Sequence, residues 1–249
     1  MPFSHHHIVP FKELSGTKKE QVAGMFDKIA FRYDFMNRFL SAGIDVYWRK
    51  KAIRELKGLP VKNILDVATG TGDLAILSWK YLQPDHIFGI DISESMLALG
   101  RKKIAKLLLN KQIELLQGDS EAINFPPETF DAVTVAFGVR NFENLEKGLG
   151  EMWRVLKPGG KVVILEFSHP TQFLFKGFYN LYMKIVAPGI AAWVSNNKKA
   201  YQYLYNSVKA FPQGETFLHI LQQAGFKETS LKRLSLGICT IYCGIKEPG

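Results

Sequence analysis

The chain has 249 residues, 47% of them hydrophobic and 22% charged, the make-up of a globular protein large enough for one sizeable core. No run of 18 or more apolar residues occurs, and the opening MPFSHHHIVPFKEL lacks the apolar stretch of a secretory leader, so neither a membrane span nor export is expected and the expected location is the cytoplasm. The formal net charge of +9 suits nucleic acid, an anionic membrane surface or no partner at all, so its distribution matters more than its sum.

Residues 1–16 read as an irregular, mobile tail, and His5 to His7 as part of that tail rather than a metal site. Residues 17–57 read as helices. Val22, Phe26, Ile29 and Tyr33 form one apolar stripe, and Trp48, Ala52, Ile53 and Leu56 form another. Gly43 separates the two helices, and Gly58 with Pro60 is expected to stop the second. From residue 62 short apolar runs alternate with helical stretches. Strands are expected at Ile64–Ala68, His86–Asp91, Ile113–Gln117, Asp131–Phe137 and Lys161–Phe167. Helices are expected at Asp73–Tyr81, after Ser93 as N-cap, and at Leu145–Leu156, the last stopped by Lys157-Pro158-Gly159-Gly160. Alternation of this kind predicts a doubly wound α/β fold, a mostly parallel sheet covered on both faces.

Arg101 to Lys111 carries five basic residues and no acid, but its apolar residues fall at helical spacing, which makes it a solvated helix face. No zinc-finger spacing or aromatic-glycine RNA-binding signature occurs, so no nucleic-acid partner is expected. The stretch 168–214 breaks the rhythm. Its 47 residues include no Asp or Glu and ten aromatics, among them Phe173, Phe175, Tyr182 and Trp193, and it reads as a helical lid inserted into the domain. A helix at Glu215–Ala224 and strands near 227–234 and 238–245 close the chain, with Gly237 at the turn, so the last strand pair is expected to be antiparallel. Cys239 and Cys243 fall on one face of that last strand, too far apart along it to bridge, and read as buried thiols. The chain is thus expected to form one domain over 1–249, with helices at 17–57, a core at 62–167, the lid and a closing unit at 215–249.

The chemistry concentrates after the first strand, in Asp66-Val67-Ala68-Thr69-Gly70-Thr71-Gly72-Asp73. Glycines there allow a tight turn and close approach of a ligand, and the following helix presents free N–H groups at its start. The spacing is neither G-x-G-x-x-G nor a Walker A loop. Asp91 ends the second strand 19 residues beyond Gly72, where a carboxylate reaches the two hydroxyls of a ribose. Asp119 follows the third strand in Gly118-Asp119-Ser120. Three acids in step with three strands face one crevice at the carboxyl ends of a parallel sheet.

The glycine loop, the acid after strand two and Leu156-Lys157-Pro158-Gly159-Gly160 before strand five resemble class I S-adenosylmethionine methyltransferases, whose seven-strand Rossmann-like fold is therefore expected here. Further segments are Phe26-Asp27, Ile29-Ala30, Arg32-Tyr33-Asp34 and Met36-Asn37 before the sheet, Asp91-Ile92-Ser93-Glu94-Ser95-Met96-Leu97, Phe137-Gly138-Val139-Arg140-Asn141 and Leu165-Glu166-Phe167-Ser168. Together these look like the quinone C-methyltransferases of menaquinone and ubiquinone synthesis, over residues 17 to 246. The Phe-Gly-Val-Arg-Asn and Tyr-Asp-x-Met-Asn segments are the specific part. Two departures stand out: Ala136 where the family often has Ser, and His169 where it often has Lys.

The resemblance implies S-adenosylmethionine as cofactor. Asp66, Thr71 and the Gly70–Gly72 backbone would hold its methionine part, Asp91 its ribose, and Asp119 and Ser120 its adenine. It implies a reduced polyprenyl quinone as acceptor, demethylmenaquinol first and a benzoquinol as the alternative. Loss of a ring hydroxyl proton raises electron density at the neighbouring carbon, which takes the methyl group without need of a metal. Arg140 would stabilise the phenolate and Asn141 orient a ring oxygen or a water, while Tyr33, Tyr201 and Tyr203 would line the ring pocket or relay a proton. A buried or surface ion pair is the plain alternative for Arg140, and simple packing for each tyrosine. The acid-free lid suits a polyisoprenoid tail and peripheral contact with a membrane surface, and a homo-oligomer is compatible with all of this. The competing function classes are a methyltransferase-like binding protein without activity and a methyltransferase for another lipid or small aromatic.

Overall fold

The computed structural model describes residues 8–11, 13, 15–41, 43–169 and 198–248. The N-terminal histidines and most of the expected lid, including Phe173 and Trp193, lie outside them. So do the side chains of Tyr33 and Tyr201.

Two helices come first, α1 (Lys18–Leu40) and α2 (Ile44–Arg54). Gly43, at φ 78°, makes the corner between them. A side chain there would be strained, which is why glycine separates the two apolar stripes. Helix α2 ends at Arg54, earlier than Gly58 and Pro60 suggest, because the chain turns through Glu55 to Lys57 before it reaches them. Val22, Phe26 and Ile29 are buried on α1, and Trp48, Ala52, Ile53 and Leu56 are buried on and just past α2. Ile8 and Phe11, placed by the sequence in an irregular tail, pack against the α1 cluster. The Phe11 N–H donates to Gln21 Oε1 at 3.0 Å.

Strands β1 (Asn63–Val67), β2 (His86–Asp91), β3 (Ile113–Gln117), β4 (Phe130–Ala136) and β5 (Leu156–Phe167) are parallel. They are completed by β6 (Lys227–Leu234) and β7 (Cys239–Ile245). Among the described residues these seven strands form one sheet in the order β3-β2-β1-β4-β5-β7-β6. Strand β7 lies between β5 and β6 and is antiparallel to both. The tight connection through Ser235–Gly237 makes the β6–β7 pair antiparallel. Strand β5 begins at Leu156, five residues before the expected Lys161. The Lys-Pro-Gly-Gly segment is carried as an irregularity, the pairing jumping from Phe130↔Leu156 to Ala132↔Lys161, with Gly159 at φ 77°.

Helices α3 (Asp73–Leu82), α4 (Glu94–Lys106), α5 (Leu145–Val155), α6 (Lys198–Ala210) and α7 (Glu215–Gln223) complete the α-helices among the described residues. Ser93 caps α4 by accepting from the Met96 N–H, and Asn144 caps α5 by accepting from the Lys147 N–H. On α5, Leu145, Leu149, Met152 and Val155 recur at three- and four-residue spacing and are fully buried in the cluster that covers one sheet face. Each such side chain contributes about 1.5–3 kcal/mol by leaving water. The other face carries a second cluster, which includes Trp48, Ile64, Leu165 and Cys239. Cys239 and Cys243 are buried free thiols; burial pushes the Cys243 thiol up to about 11, so it is not a nucleophile at neutral pH.

Candidate active site at the switch point of the sheet

The strand order reverses between β1 and β4, which splays their carboxyl ends and opens a crevice there. Both turns into the crevice carry a non-glycine residue in the left-handed region, Ala68 at φ 52° after β1 and Phe137 at φ 61° after β4. Such backbone costs of order 1–3 kcal/mol per residue and persists where the surroundings impose it. The two turns also touch. A Cβ on Gly138 would stand 2.6 Å from the Ala68 Cβ, so only glycine lets them approach.

The crevice is a cleft of about 650 Å³. Gly70, Asp91, Asp119, Ser120 and Asn141 line it, so five of the residues singled out from the sequence meet around one space. The Asp91 carboxylate accepts from the Gly70 N–H (2.8 Å, Oδ2) and the Ser93 N–H (2.9 Å, Oδ1). Burial pushes its pKa above the ordinary value, against these backbone donors. Asp119 accepts from Lys19 Nζ at 2.5 Å, and its other oxygen accepts from the Glu121 N–H at 2.9 Å.

Behind the glycine loop lies a second, polar space of about 360 Å³, lined by Asp66, Thr71 and Arg49 among others. Asp66 is buried, with Thr69 Oγ1 donating to one oxygen (2.6 Å) and Thr134 Oγ1 to the other (2.8 Å). Burial raises its pKa to about 6, against those two hydroxyls and Arg49. Lys103 Nζ donates to Thr71 Oγ1 at 2.8 Å and to Asp73 Oδ1 at 2.7 Å. Burial pushes Asp73 up, but Lys103, Arg49 and Arg38 outweigh it and hold it below the usual carboxylate range.

Arg140 and Tyr203 are not among the residues that line the cleft. The Arg140 guanidinium, expected from the sequence to face a phenolate, is 4% exposed and directed at Glu166 (2.6 Å) and at the Phe137 carbonyl (2.6 Å). That is the buried ion pair kept as its alternative. Burial pushes the Glu166 carboxyl up and Arg140 pulls it back. The Tyr203 hydroxyl is buried beside this pair and donates to Asn141 Oδ1 at 3.1 Å. Burial raises its pKa well above the ordinary phenol value.

The structure adds residues that sequence reasoning passed over. Lys19, Val22 and Phe26 bring α1 to the mouth of the cleft, and Glu121 and Glu143 border it. Lys18 fixes that end of α1: its N–H donates to Glu143 Oε1 at 3.0 Å and its Nζ to the Phe142 carbonyl at 2.8 Å. Asp27 accepts from the Ser93 hydroxyl at 2.6 Å and ties α1 to the start of α4. The Phe26-Asp27 pair stood in a singled-out segment, but nothing local told that it would reach the second strand's turn. Among the described residues no cluster of His, Cys, Asp and Glu is arranged to hold a metal ion.

A sequence model of the ubiE/COQ5 methyltransferase family matches residues 14–246. A demethylmenaquinone methyltransferase of Bacteroides fragilis is 47% identical over 99% of this chain and 100% of its own. A ubiquinone/menaquinone biosynthesis C-methyltransferase UbiE of Geobacter sulfurreducens is 46% identical over 92% of this chain and 90% of its own. A solved SAM-dependent methyltransferase of Thermotoga maritima shares the fold with a TM-score of 0.63 at 20% identity, over 90% of this chain and 99% of that one. The chain therefore belongs to the ubiE/COQ5 methyltransferase family.

Proposed function

We propose that the chain transfers the methyl group of S-adenosylmethionine to a ring carbon of a reduced polyprenyl quinone precursor, with demethylmenaquinol as the acceptor. The observation that carries this reading is the convergence of the glycine loop, Asp91 and Asp119 on one cleft, in a chain 47% identical to a relative named for that reaction. The residues present fit the cofactor. The Asp91 carboxylate lines the cleft, and the polar space behind the loop holds a buried guanidinium nitrogen, Arg49 Nε, that has no partner among the described residues. When bound, the cofactor supplies an electrophilic methyl group.

The protein supplies position and charge. Asp91 receives the ribose hydroxyls, Asp119 and Ser120 flank the adenine, and Thr71 with the Gly70–Gly72 backbone holds the methionine part. Asp66 fixes the loop through Thr69. On the acceptor side, Asn141 orients a ring oxygen and is itself held by Tyr203. Arg140 acts as a positioning residue: its charge is met by Glu166, so its influence on a ring oxygen comes from fixing the turn that carries Asn141. Tyr33 and Tyr201 are assigned to the ring pocket from the sequence alone.

No helix among the described residues is long and apolar enough to cross a membrane. The prenylated acceptor is met at the bilayer surface or lifted from it. The acid-free stretch 168–214 is the segment assigned to that contact. A benzoquinol acceptor is the second reading, favoured by the name of the Geobacter relative. Steady-state kinetics with the two reduced acceptors carrying the same tail tests the choice. A higher kcat/KM for demethylmenaquinol is expected, and a higher value for the benzoquinol would put the second reading in its place.

A further inference from the structure

The polar space behind the glycine loop is bordered by a residue that comes from neither the sheet nor its loops. Arg49 projects from α2 and is 6% exposed. Its Nη1 donates to Asp45 Oδ2 at 2.5 Å, and its guanidinium carbon lies 5.2 Å from the centre of the Phe137 ring. Its Nε is buried and has no partner among the described residues. A buried donor left without an acceptor costs free energy, and a folded protein rarely keeps one unless something else meets it.

The surroundings say what that partner would be. The space lies at the start of α3, whose cap residue Gly72 offers no side chain to its first N–H groups. That helix end favours negative charge, as does the guanidinium. The same space contains Asp66, so a cationic and an anionic group line one compartment. Asp73 beside them is already met by Lys103 and Arg38. Ala68, Gly70 and Ala136 line both this space and the larger cleft, so the two adjoin along the glycine loop. A ligand whose body fills the cleft can therefore place a zwitterionic end beside Arg49 and Asp66.

We propose that Arg49 receives the α-carboxylate at the amino-acid end of the cofactor, which makes it a cofactor-binding residue supplied by the N-terminal helices. This rests on the cofactor reading above. It also gives the α1–α2 unit a part in the site besides covering it. The plain alternative is that Arg49 serves only its pair with Asp45 and its packing on Phe137, and is indifferent to ligand.

Calorimetry on the full chain separates the two. The ligands are S-adenosylhomocysteine and its decarboxylated counterpart, which keeps the adenosine, thioether and amine. For the unaltered protein, loss of the carboxylate is expected to weaken binding by about tenfold or more, as for a charged hydrogen bond lost. Arg49→Gln is expected to bring S-adenosylhomocysteine down to the level of the decarboxylated ligand while moving the latter by about twofold at most, and Arg49→Lys to recover part of the loss. Equal affinity of the unaltered protein for the two ligands would overturn the proposal, and so would an equal loss for both in Arg49→Gln. Should Arg49→Gln fail to fold, the ligand pair on the unaltered protein decides by itself. Failure of the unaltered protein to bind S-adenosylhomocysteine at all would overturn the cofactor reading, and this proposal with it.

Discussion

The Arg140 guanidinium and the Glu166 carboxylate meet at 2.6 Å in the protein interior, Glu166 fully buried, and join the turn after β4 to the end of β5. Taking one partner away leaves a buried charge unpaired, which costs about 3–5 kcal/mol, whereas removing both costs less. Arg140→Ala is therefore expected to lower unfolding stability by about that amount, and Arg140→Ala with Glu166→Ala to recover part of it, as urea titrations would read. In the fraction that stays folded, Arg140→Ala should lower kcat more than it weakens the cofactor. Near-normal kcat in that variant would remove Arg140 from the acceptor side altogether.

Asp91 accepts from the Gly70 and Ser93 N–H groups, and the proposed function adds the ribose hydroxyls to what it holds. Asp91→Ala should weaken S-adenosylhomocysteine by about tenfold or more, since a charged acceptor contributes roughly 1.5–3 kcal/mol. Asp91→Asn should fall between. Unchanged affinity by calorimetry with the fold intact would take Asp91 out of the site.

The Asp66 carboxyl, raised by burial to about 6, gives a pH dependence of defined sign. Between the ordinary value of 3.8 and about 6 the folded state holds this proton more tightly than the unfolded state. The group's contribution to stability is therefore full below pH 4 and is lost as pH rises through 6, by roughly 3 kcal/mol at most. Asp66→Asn has no such term. The stability of Asp66→Asn relative to the unaltered protein should thus improve as pH goes from 4 to 7, measured by urea unfolding at both ends. A difference that is flat or falls with pH would show that Asp66 is not titrating in this range.

Much of this was legible in the sequence. Strands β2 and β3 begin and end where the apolar runs and turn residues put them, because short parallel strands are apolar runs bounded by glycine and acid. The Gly70, Asp91, Asp119 cluster was legible because one rule places all strand carboxyl ends along one crevice. Two things were not. The Lys-Pro-Gly-Gly segment reads as a break, yet β5 passes through it, because pairing of Leu156 with Phe130 outweighs the local turn signal. Lys19 on Asp119 and Asp27 on Ser93 are contacts between residues 100 and 66 positions apart, and no spacing rule along the chain reaches that far.

The stretch 168–214 gives a prediction from composition alone, ten aromatics and no acid in 47 residues. Burying tail methylenes contributes about 0.8 kcal/mol each, and basic residues draw on anionic headgroups. Acceptors with several isoprene units are expected to show a markedly lower KM than the tailless ring, and anionic vesicles to bind the protein more than neutral ones, with salt weakening that binding. Equal KM for tailed and tailless acceptors in detergent would remove the tail from the account and leave the methyl transfer standing.

Whether the methyl group reaches a ring carbon is the central claim, and one measurement addresses it. The purified protein is incubated with S-adenosylmethionine carrying a carbon-13 methyl and with chemically reduced demethylmenaquinone, and the extracted quinone is analysed by mass and carbon NMR. The account predicts a product one methyl group heavier, with the label on a ring carbon and none on oxygen, formed only when the quinone is reduced. An O-methyl product, or no labelled quinone from a protein that binds S-adenosylhomocysteine, would contradict it.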